Sequence, residues 1–320
     1  MRHSREKKKR WKKSAQQCRN RQHLDRHSNM GIDIDRQRKE IIEKIIARQD
    51  EESRWAFDEN VARKRPELRN YLPKYVSTVW TMLYLAELKI PPGDARVSGS
   101  LDLLLDECHN KRRGIFTIGR NHFPVPCLNG NMLYLNFYFK RPCTEKITNV
   151  IDFFDTHQRF DDGDFRAPTQ YPYHRSCYGK HTCMWGIVKL AKGLSFMPVR
   201  ERTGSATRLL NRCIDFILLH EVCFRSHDKE RLIRSAMGSI TFPNVGYKSD
   251  FLEILWILAR EKIKHPKTKR ALDMLKSKMT GNGWWNLERP VPGLITSAGD
   301  KNRPNAFVTE MAREVLAFYE

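Results

Sequence analysis

The sequence predicts an all-α fold that is built from alternating pairs of helices. Three observations support this prediction. An apolar–Asp–apolar pattern recurs along the chain, a second kind of apolar segment with helical spacing alternates with it, and no stretch has a convincing strand pattern. The recurring aspartates are separated by 50, 63 and 58 residues, and spacings of this order indicate a repeat architecture. They are Asp102, Asp152, Asp215 and Asp273.

The two kinds of helix, termed Asp helices and apolar helices, follow one another along the chain. Apolar residues at positions i, i+3, i+4 and i+7 mark each segment as a helix. The Asp helices are predicted over residues 40–49 (a weaker copy), 100–107, 150–157, 213–220 and 271–278. The apolar helices are predicted over residues 77–88, 128–139, 182–194, 249–260 and 308–319. Neither helix of a pair can bury its apolar face alone, so neighbouring pairs must pack together.

Short polar residues stand near the starts of the apolar helices, where a side-chain oxygen can satisfy free backbone N–H groups. These N-cap candidates are Ser77 or Thr78, Asn129, Ser249 or Asp250, and Thr309.

A polar turn that ends in an aromatic residue follows several of the Asp helices. The segments 47–57, 156–165 and 277–287 each contain a helix end, about six polar or glycine residues, and then an aromatic. We expect the aromatic to fold back onto the helix pair. The middle segment also carries an acidic cluster, which fits either a turn or a site for a metal ion or a diphosphate. The cluster consists of Asp161, Asp162 and Asp164.

The chain has 320 residues and a formal charge of +21, which favours anionic partners. No apolar run approaches the roughly 18 residues that a membrane span needs. The start lacks the apolar stretch of a secretory signal. Eight cysteines in a chain of this length do not indicate a disulfide framework. We therefore expect a cytoplasmic protein without a transmembrane span.

Residues 1–35 are predicted to be a basic, disordered extension, and residues 36–320 the folded domain. Residues 1–40 contain 14 Lys or Arg and 5 Asp or Glu, and aliphatic side chains are scarce before Met30. Three interpretations of residues 1–29 stay open. They form a tail that binds nucleic acid or an anionic surface, they form a solvated extension, or translation begins at Met30.

The turn residues carry a resemblance to a known family. One turn contains a Gln, followed by a Gly and by an aromatic residue two positions after the Gly. This pattern resembles the Gln…Gly-x-Trp (QW) motif of terpene cyclases. The set here is Gln158, Gly163 and Phe165, where Phe replaces Trp, with looser versions at Gln49 and Trp55 and at Gly281 and Trp285. With its alternating helices, the chain over residues 36–320 is similar to the α/α-toroid superfamily of squalene/terpene cyclases and protein prenyltransferase β subunits. It most resembles small prokaryotic prenyltransferase-like proteins of undefined activity, which share stretches like "PVPCLNGN", "HQRFDDGDF" and "CYGKHTC".

The resemblance implies a closed ring of about five helix pairs, in which the Asp helices lie outside and the apolar helices line a central cavity. The first turns of the apolar helices would gather at one mouth, where their dipoles attract anions such as a diphosphate. The resemblance thus implies an isoprenoid-like or apolar phosphorylated ligand, such as a prenyl diphosphate. Transferase activity stays open, whereas class II cyclisation is disfavoured because the chain has no D-x-D-D acid motif.

Protein prenyltransferases hold zinc with Asp, Cys and His from the starts of neighbouring inner helices, and they work with a second subunit. The resemblance therefore implies zinc and a partner protein subunit, although the D-x-C pattern is absent. The corresponding residues are Cys127, Cys177, His181, Cys183 and Asp250. The residues alone show a Cys and a His four apart, which can share a zinc ion. Two alternatives to a zinc site stay open. The side chains pack in the core, or a reactive thiolate pairs with His181.

The connection 224–243 is basic and too long for a simple turn. Its cations would lie beside the cavity mouth and clamp a phosphate or diphosphate, unless they form a solvated basic helix. They are Arg225, His227, Arg231 and Arg234. Aromatic residues of the apolar helices would line an apolar pocket, unless they are ordinary core. The candidates are Trp80, Tyr134 and Trp185, together with Tyr75 and Trp256.

A second function from another class stays open: a non-catalytic helical scaffold that binds protein or nucleic acid through a basic surface. The two hypotheses differ in what they require of the structure. A deep, aromatic-lined cavity with Cys127 and His181 at its rim favours the ligand-binding protein. A cavity filled by side chains, together with a continuous Lys/Arg face, favours the scaffold.

Overall fold

The computed structural model describes residues 33–56, 59–117, 124–163 and 181–320. Contacts between residues divide the chain into two units, Met1–Lys39 and Glu40–Glu320. The described residues of the first unit belong to the beginning of the first helix.

Helices dominate the described chain, which confirms the all-α prediction. The Asp helices are α1 (Ile34–Ile46), α4 (Ser98–Glu107), α6 (Glu145–His157), α8 (Gly204–Leu219) and α10 (Lys269–Ser277). The apolar helices are α3 (Thr78–Glu87), α5 (Pro126–Tyr138), α7 (Met184–Ser195), α9 (Phe251–Arg260) and α11 (Ala306–Tyr319). A short helix, α2 (Glu59–Lys64), lies between α1 and α3. Every predicted segment therefore overlaps a helix.

The two kinds of helix differ in burial as their sequences predict. Helix α7 buries every residue except Trp185, whereas α10 buries only Ala271 and Leu275. The four recurring aspartates of the Asp helices are all exposed. The apolar helices thus form the interior of the second unit, and the Asp helices cover it with one apolar face each.

The sheets in the described ranges are two short antiparallel hairpins. β1 (His109–Asn110) pairs with β2 (Ile115–Phe116), and β3 (Asn286–Leu287) pairs with β4 (Arg303–Pro304). Each strand has only two residues, which agrees with the lack of a strand pattern in the sequence.

The N-cap predictions are confirmed at α9, confirmed in position only at α3, and wrong at two other helices. Ser77 occupies the N-cap position of α3, but its side chain makes no capping hydrogen bond. Asp250 accepts a hydrogen bond from a backbone N–H in the first turn of α9. Asn129 instead lies inside α5, where its amide pairs with both the N–H and the carbonyl of Phe116 at 2.9 Å. Asn305 caps α11, because Thr309 lies a full turn further along. A polar residue near a helix start therefore predicts the start, but not which hydrogen bond it makes.

The turn that follows an Asp helix is confirmed as a repeated element in two copies. The Trp55 indole N–H donates to the carbonyl of Ile45 at 2.8 Å, and the Trp285 indole N–H donates to that of Leu275 at 2.7 Å. Both acceptors lie ten residues earlier in the chain. The backbone N–H of each tryptophan bonds to a threonine of the next apolar helix. The threonines are Thr78, at 3.3 Å, and Thr309, at 3.1 Å.

Replacing Trp285 with Phe is expected to lower the free energy of unfolding by about 1 kcal/mol, because the Leu275 carbonyl loses the indole donor and keeps the Lys278 N–H, at 3.2 Å. Urea unfolding followed by circular dichroism measures this change. Trp284→Phe is the matched control, since the Trp284 indole has no hydrogen bond to the described residues and should cost less. Equal losses for both variants would show that the bond to Leu275 contributes nothing.

Helices α5 and α7 approach so closely that glycine is required at their contact. A Cβ atom at Gly130 would lie 2.2 Å from the carbonyl carbon of Lys189. A Cβ atom at Gly193 would lie 2.5 Å from the carbonyl oxygen of Gly130. The two glycines therefore let the backbones meet without intervening side chains.

The apolar helices contact one another in chain order, from α3 through α5, α7 and α9 to α11. Lys89, which directly follows α3, forms ion pairs with Glu310 at 2.9 Å and Glu314 at 2.7 Å, both on α11. The Tyr84 hydroxyl of α3 also donates to the carbonyl of Thr296 at 3.1 Å. Contacts thus also join the first apolar helix to the last one and to the segment that precedes it.

Candidate functional site

A cavity of about 220 Å³ lies where the chain enters α3 and α9, and we call it the mouth cavity. It is bounded by the residue before the α3 entry turn, by the segment that leads into α9, and by a proline-rich loop after β3. Its lining includes Tyr75, Thr241, Asn244, Lys248, Ser249 and Arg289.

Two buried polar atoms in the wall of the mouth cavity have no hydrogen-bond partner in the described structure. They are the hydroxyl oxygen of Ser249 and the side-chain carbonyl oxygen of Asn244, both in residues that are 3% exposed. The rest of each residue is held in place. The Trp185 indole donates to the Ser249 carbonyl at 3.2 Å, and the Asn244 amide donates to the Thr241 carbonyl at 3.3 Å. Buried polar atoms without partners are rare, so the two oxygens are candidate contact points for a ligand or for ordered water.

Lysines and aromatic rings surround the same opening. The Lys74 ammonium lies 4.2 Å from the ring centre of Tyr247, and the Lys248 ammonium lies 5.9 Å from it. Tyr247 in turn packs edge-on against Trp185, with ring centres 5.9 Å apart. Neither lysine forms an ion pair with any residue in the described ranges. The opening therefore presents positive charge beside aromatic surface.

Asp250 lies directly behind the wall of the mouth cavity. Its carboxylate accepts backbone N–H groups from Glu253 at 2.8 Å and Thr241 at 2.6 Å. Burial of the side chain raises the pKa of Asp250 to about 7, although the two backbone donors favour the charged form.

Because the pKa of Asp250 is higher in the folded protein than in the unfolded chain, its contribution favours folding at low pH and is lost as pH rises towards 7. We expect wild-type stability to fall relative to Asp250→Asn between pH 4 and 7, by up to about 1.4 kcal/mol per pH unit. Asn also caps helices well. Urea unfolding of both proteins across this range measures the difference, and a constant difference would contradict the raised pKa.

Below the mouth cavity, four charged side chains from three apolar helices form a buried ion cluster. The Lys189 ammonium lies 2.8 and 2.9 Å from the two carboxylate oxygens of Glu253 and donates to the Asn244 carbonyl at 3.0 Å. The Lys192 ammonium lies 2.8 Å from Glu253 and 2.5 Å from Glu87. All four side chains are at most 4% exposed. Charged groups thus occupy the space between α3, α7 and α9.

The two lysines of the ion cluster differ in their proton affinity. Burial lowers the pKa of Lys189 despite its contact with Glu253. Burial also lowers the pKa of Lys192, but Glu253 and Glu87 together raise it above its usual value. The cluster is connected to the mouth cavity because Lys189 holds the backbone of Asn244.

The aromatic residues predicted to line a pocket are placed at different depths. Trp80 is buried, and its indole donates to the Tyr71 carbonyl at 2.8 Å. Trp185 belongs to the aromatic surface at the opening. Tyr134 lies deeper, with the Lys192 ammonium 4.5 Å from its ring centre. None of the three lines the mouth cavity itself, so their role in ligand binding stays a prediction.

The predicted metal ligands lie near the starts of apolar helices, but the described ones do not form a cluster. Cys127 is in the first turn of α5, Cys183 precedes α7, and Asp250 precedes α9. His181 lies against Asp162, and Cys177 is outside the described residues. Within the described ranges, no group of three or more Cys, His, Asp or Glu side chains is arranged to hold a metal ion.

The basic connection that begins at Phe224 contains no α-helix, and a short 3-10 helix covers Ser235–Gly238 near its end. Its start is a tight hairpin in which the Arg225 N–H donates to the Arg231 carbonyl at 2.9 Å. Arg225, His227, Arg231 and Arg234 are all exposed, and none of them lines the mouth cavity. The phosphate-binding role predicted for these four residues therefore stays a prediction.

The acidic turn after α6 finds partners within the protein. Burial alone would raise the pKa of Asp161, but the ion pair with Arg159 at 2.5 Å lowers it below its usual value. Asp162 accepts the Ser226 hydroxyl and lies 3.4 Å from His181 Nδ1. The described part of the cluster therefore has the contacts of a turn, while Asp164 and Phe165 lie outside the described residues.

Comparisons with protein-family models, with curated proteins and with solved structures gave no match. In the described part of the chain, no helix combines the length and the apolar character needed to cross a membrane. Fold and site together define an all-α protein of paired helices, with a cationic and aromatic opening above a buried ion cluster.

Proposed function

We propose that this protein binds a small phosphate-bearing ligand in the mouth cavity. The observation that carries the proposal is the pair of buried, unpartnered oxygens of Ser249 and Asn244 beside the cation Lys248. A phosphate oxygen can accept hydrogen bonds from both the Ser249 hydroxyl and the Lys248 ammonium. Bonds of this charge-assisted kind are about twice as strong as neutral ones.

The other unpartnered atom restricts the ligand further. The free Asn244 oxygen is an acceptor, because the amide nitrogen already donates to Thr241. The ligand therefore supplies a donor, such as a hydroxyl group, as well as an acceptor. The cavity volume of about 220 Å³ lies below the roughly 300 Å³ at which sites for drug-sized ligands begin. These features favour a short hydroxylated phosphate ester over a long isoprenoid chain.

We further propose that the apolar helices close into a ring, as expected from the resemblance to α/α toroids. Three features support this proposal: the burial of these helices, their contacts in chain order, and the ion pairs of Lys89 with Glu310 and Glu314. The buried ion cluster would then fill the centre of the ring, and the ligand would bind only at its mouth. Binding alone is proposed, and no reaction is assigned.

Calorimetric titration of the full chain with glycerol 3-phosphate tests the proposed binding. One molecule should bind per chain, whereas glycerol, which lacks the phosphate, should not bind measurably. Farnesyl diphosphate should bind more weakly than glycerol 3-phosphate, because its chain exceeds the cavity. If neither phosphate compound binds, the proposal is wrong, and tighter binding of farnesyl diphosphate would restore the isoprenoid expectation.

Ser249→Ala should separate binding from stability. Removing the unpartnered hydroxyl is expected to raise the free energy of unfolding by about 1 kcal/mol, since its burial without a partner carries a cost. The same change should weaken glycerol 3-phosphate binding about tenfold, as one hydrogen bond is lost. Thermal and urea unfolding, together with titration, measure the two effects. A loss of stability on this change would show that the hydroxyl has an internal partner.

Lys248→Met should weaken the binding of glycerol 3-phosphate at least tenfold, because it removes the cation at the opening. Lys111→Met, in the exposed turn between β1 and β2, removes the same charge and is the matched control. Equal losses for the two variants would indicate an effect of net charge rather than of the mouth cavity.

A further inference from the structure

A second concave surface lies between the start of α10, an Asp helix, and the end of α11, an apolar helix. It is an open groove with a volume of about 420 Å³, and we call it the basic groove. Its lining includes Lys264, His265, Lys269, Lys276 and Tyr319. It shares no lining residue with the mouth cavity, so it does not depend on the proposed function.

The basic groove lies in the most one-sided charged segment of the described chain. Residues 262–278 contain seven Lys or Arg side chains and a single Asp. Two of the lining lysines form ion pairs, Lys269 with Asp273 at 2.6 Å and Lys276 with Glu320 at 3.4 Å. The third, Lys264, has no carboxylate partner in the described ranges.

Three exposed lysines of this segment have no ion pair with any residue in the described ranges. They are Lys264, which lines the basic groove, and Lys262 and Lys267, which flank it in the sequence. The ammonium group of Lys264 is held 5.1 Å from the ring centre of Phe318, near the end of α11. Solvated lysines that are spaced along a groove can follow a chain of phosphates, and binding then releases counterions.

An aromatic ring accompanies these cations. Tyr319 is half-buried in the wall of the basic groove, and its hydroxyl donates to the Ile263 carbonyl at 3.1 Å. This hydrogen bond fixes the ring relative to the lysine segment. Proteins that bind single-stranded nucleic acid combine a cationic groove with aromatic side chains on which the bases stack. The basic groove has both features.

We infer that the basic groove binds single-stranded nucleic acid through its sugar–phosphate backbone. A lipid surface fits less well, because the cations line a concavity. The exposed large apolar side chains of the described chain also do not line it. These are Val199, Leu219 and Met279.

Fluorescence anisotropy with labelled 12-nucleotide oligo(dT) and oligo(U) tests the inference on the full chain. The test variant is the triple change Lys264→Gln, Lys269→Gln and Lys276→Gln, which removes the three lysines that line the groove. The control variant is Lys111→Gln, Arg112→Gln and Arg113→Gln, which removes the same charge from the exposed β1–β2 turn. Residues 1–29 are present in both variants, so their own affinity for nucleic acid cancels in the comparison.

The groove variant should bind at least tenfold more weakly than the control variant. The slope of log affinity against log salt should also fall by about 2, because each lost phosphate contact removes about 0.7. Equal affinity of the two variants would overturn the inference. So would groove-dependent binding to polyglutamate, or to vesicles containing phosphatidylserine, that exceeds binding to both oligonucleotides.

Discussion

Replacing Glu253 with Ala is expected to lower the free energy of unfolding by about 3–5 kcal/mol. Glu253 is fully buried and is the shared partner of Lys189 and Lys192. Its removal leaves two ammonium groups in a buried site, and only Lys192 keeps a second carboxylate, that of Glu87. Urea unfolding followed by circular dichroism at pH 7 measures the loss.

The matched control for Glu253→Ala is the exposed ion pair of Lys269 and Asp273, whose charged atoms are 2.6 Å apart. Asp273→Ala should cost less than about 1 kcal/mol, because water screens the pair. If Glu253→Ala costs no more than Asp273→Ala, then the ion cluster is not buried in the way that the structure places it.

Gly130→Ala is the second change for which we expect a large loss, about 3 kcal/mol or more. The added Cβ would lie 2.2 Å from the carbonyl carbon and 2.4 Å from the carbonyl oxygen of Lys189. Since both are backbone atoms, no side-chain rotation relieves the clash, and α5 must move away from α7. Movement at Lys189 would also disturb its contacts with Glu253 and Asn244.

Gly93→Ala is the control for Gly130→Ala, because a Cβ atom at Gly93 would meet nothing within 4 Å. Its effect should stay within about 0.5 kcal/mol. Both variants are compared by thermal unfolding. A Gly130→Ala protein as stable as Gly93→Ala would mean that the two helices are further apart than described.

The helices and the tryptophan turns could be predicted because their signals are local. Apolar spacing over ten to fourteen residues identified α3 and α11, and a repeated turn ending in an aromatic identified Trp55 and Trp285. The N-caps were less predictable. Asn129, for example, pairs with Phe116 through a hairpin contact that helical spacing does not encode.

The buried ion cluster could not be predicted from any one segment, because Glu253 and Lys189 are 64 residues apart in the chain. A signal was nevertheless present. Lys189 and Lys192 interrupt the apolar run of α7, Glu253 interrupts that of α9, and Glu87 ends α3. Charges at positions that helical spacing assigns to the interior indicate buried pairing.

The mouth cavity was only partly predictable. The starts of the apolar helices were expected to form it, and Ser249 before α9 lines it while Asp250 lies behind its wall. Asn244 and Arg289 come from two connections whose meeting depends on tertiary packing. The sequence instead predicted a site at the four cations after Phe224. Their clustering along the chain can be read from the sequence, but their exposure to solvent cannot.

A crystal structure of the protein with glycerol 3-phosphate shows directly whether the ligand binds in the mouth cavity. We expect phosphate density within hydrogen-bond distance of the Ser249 hydroxyl and the Lys248 ammonium, with a ligand hydroxyl at the free oxygen of Asn244. Density confined to the basic groove, with the mouth cavity empty or filled only by water, would contradict the proposed binding.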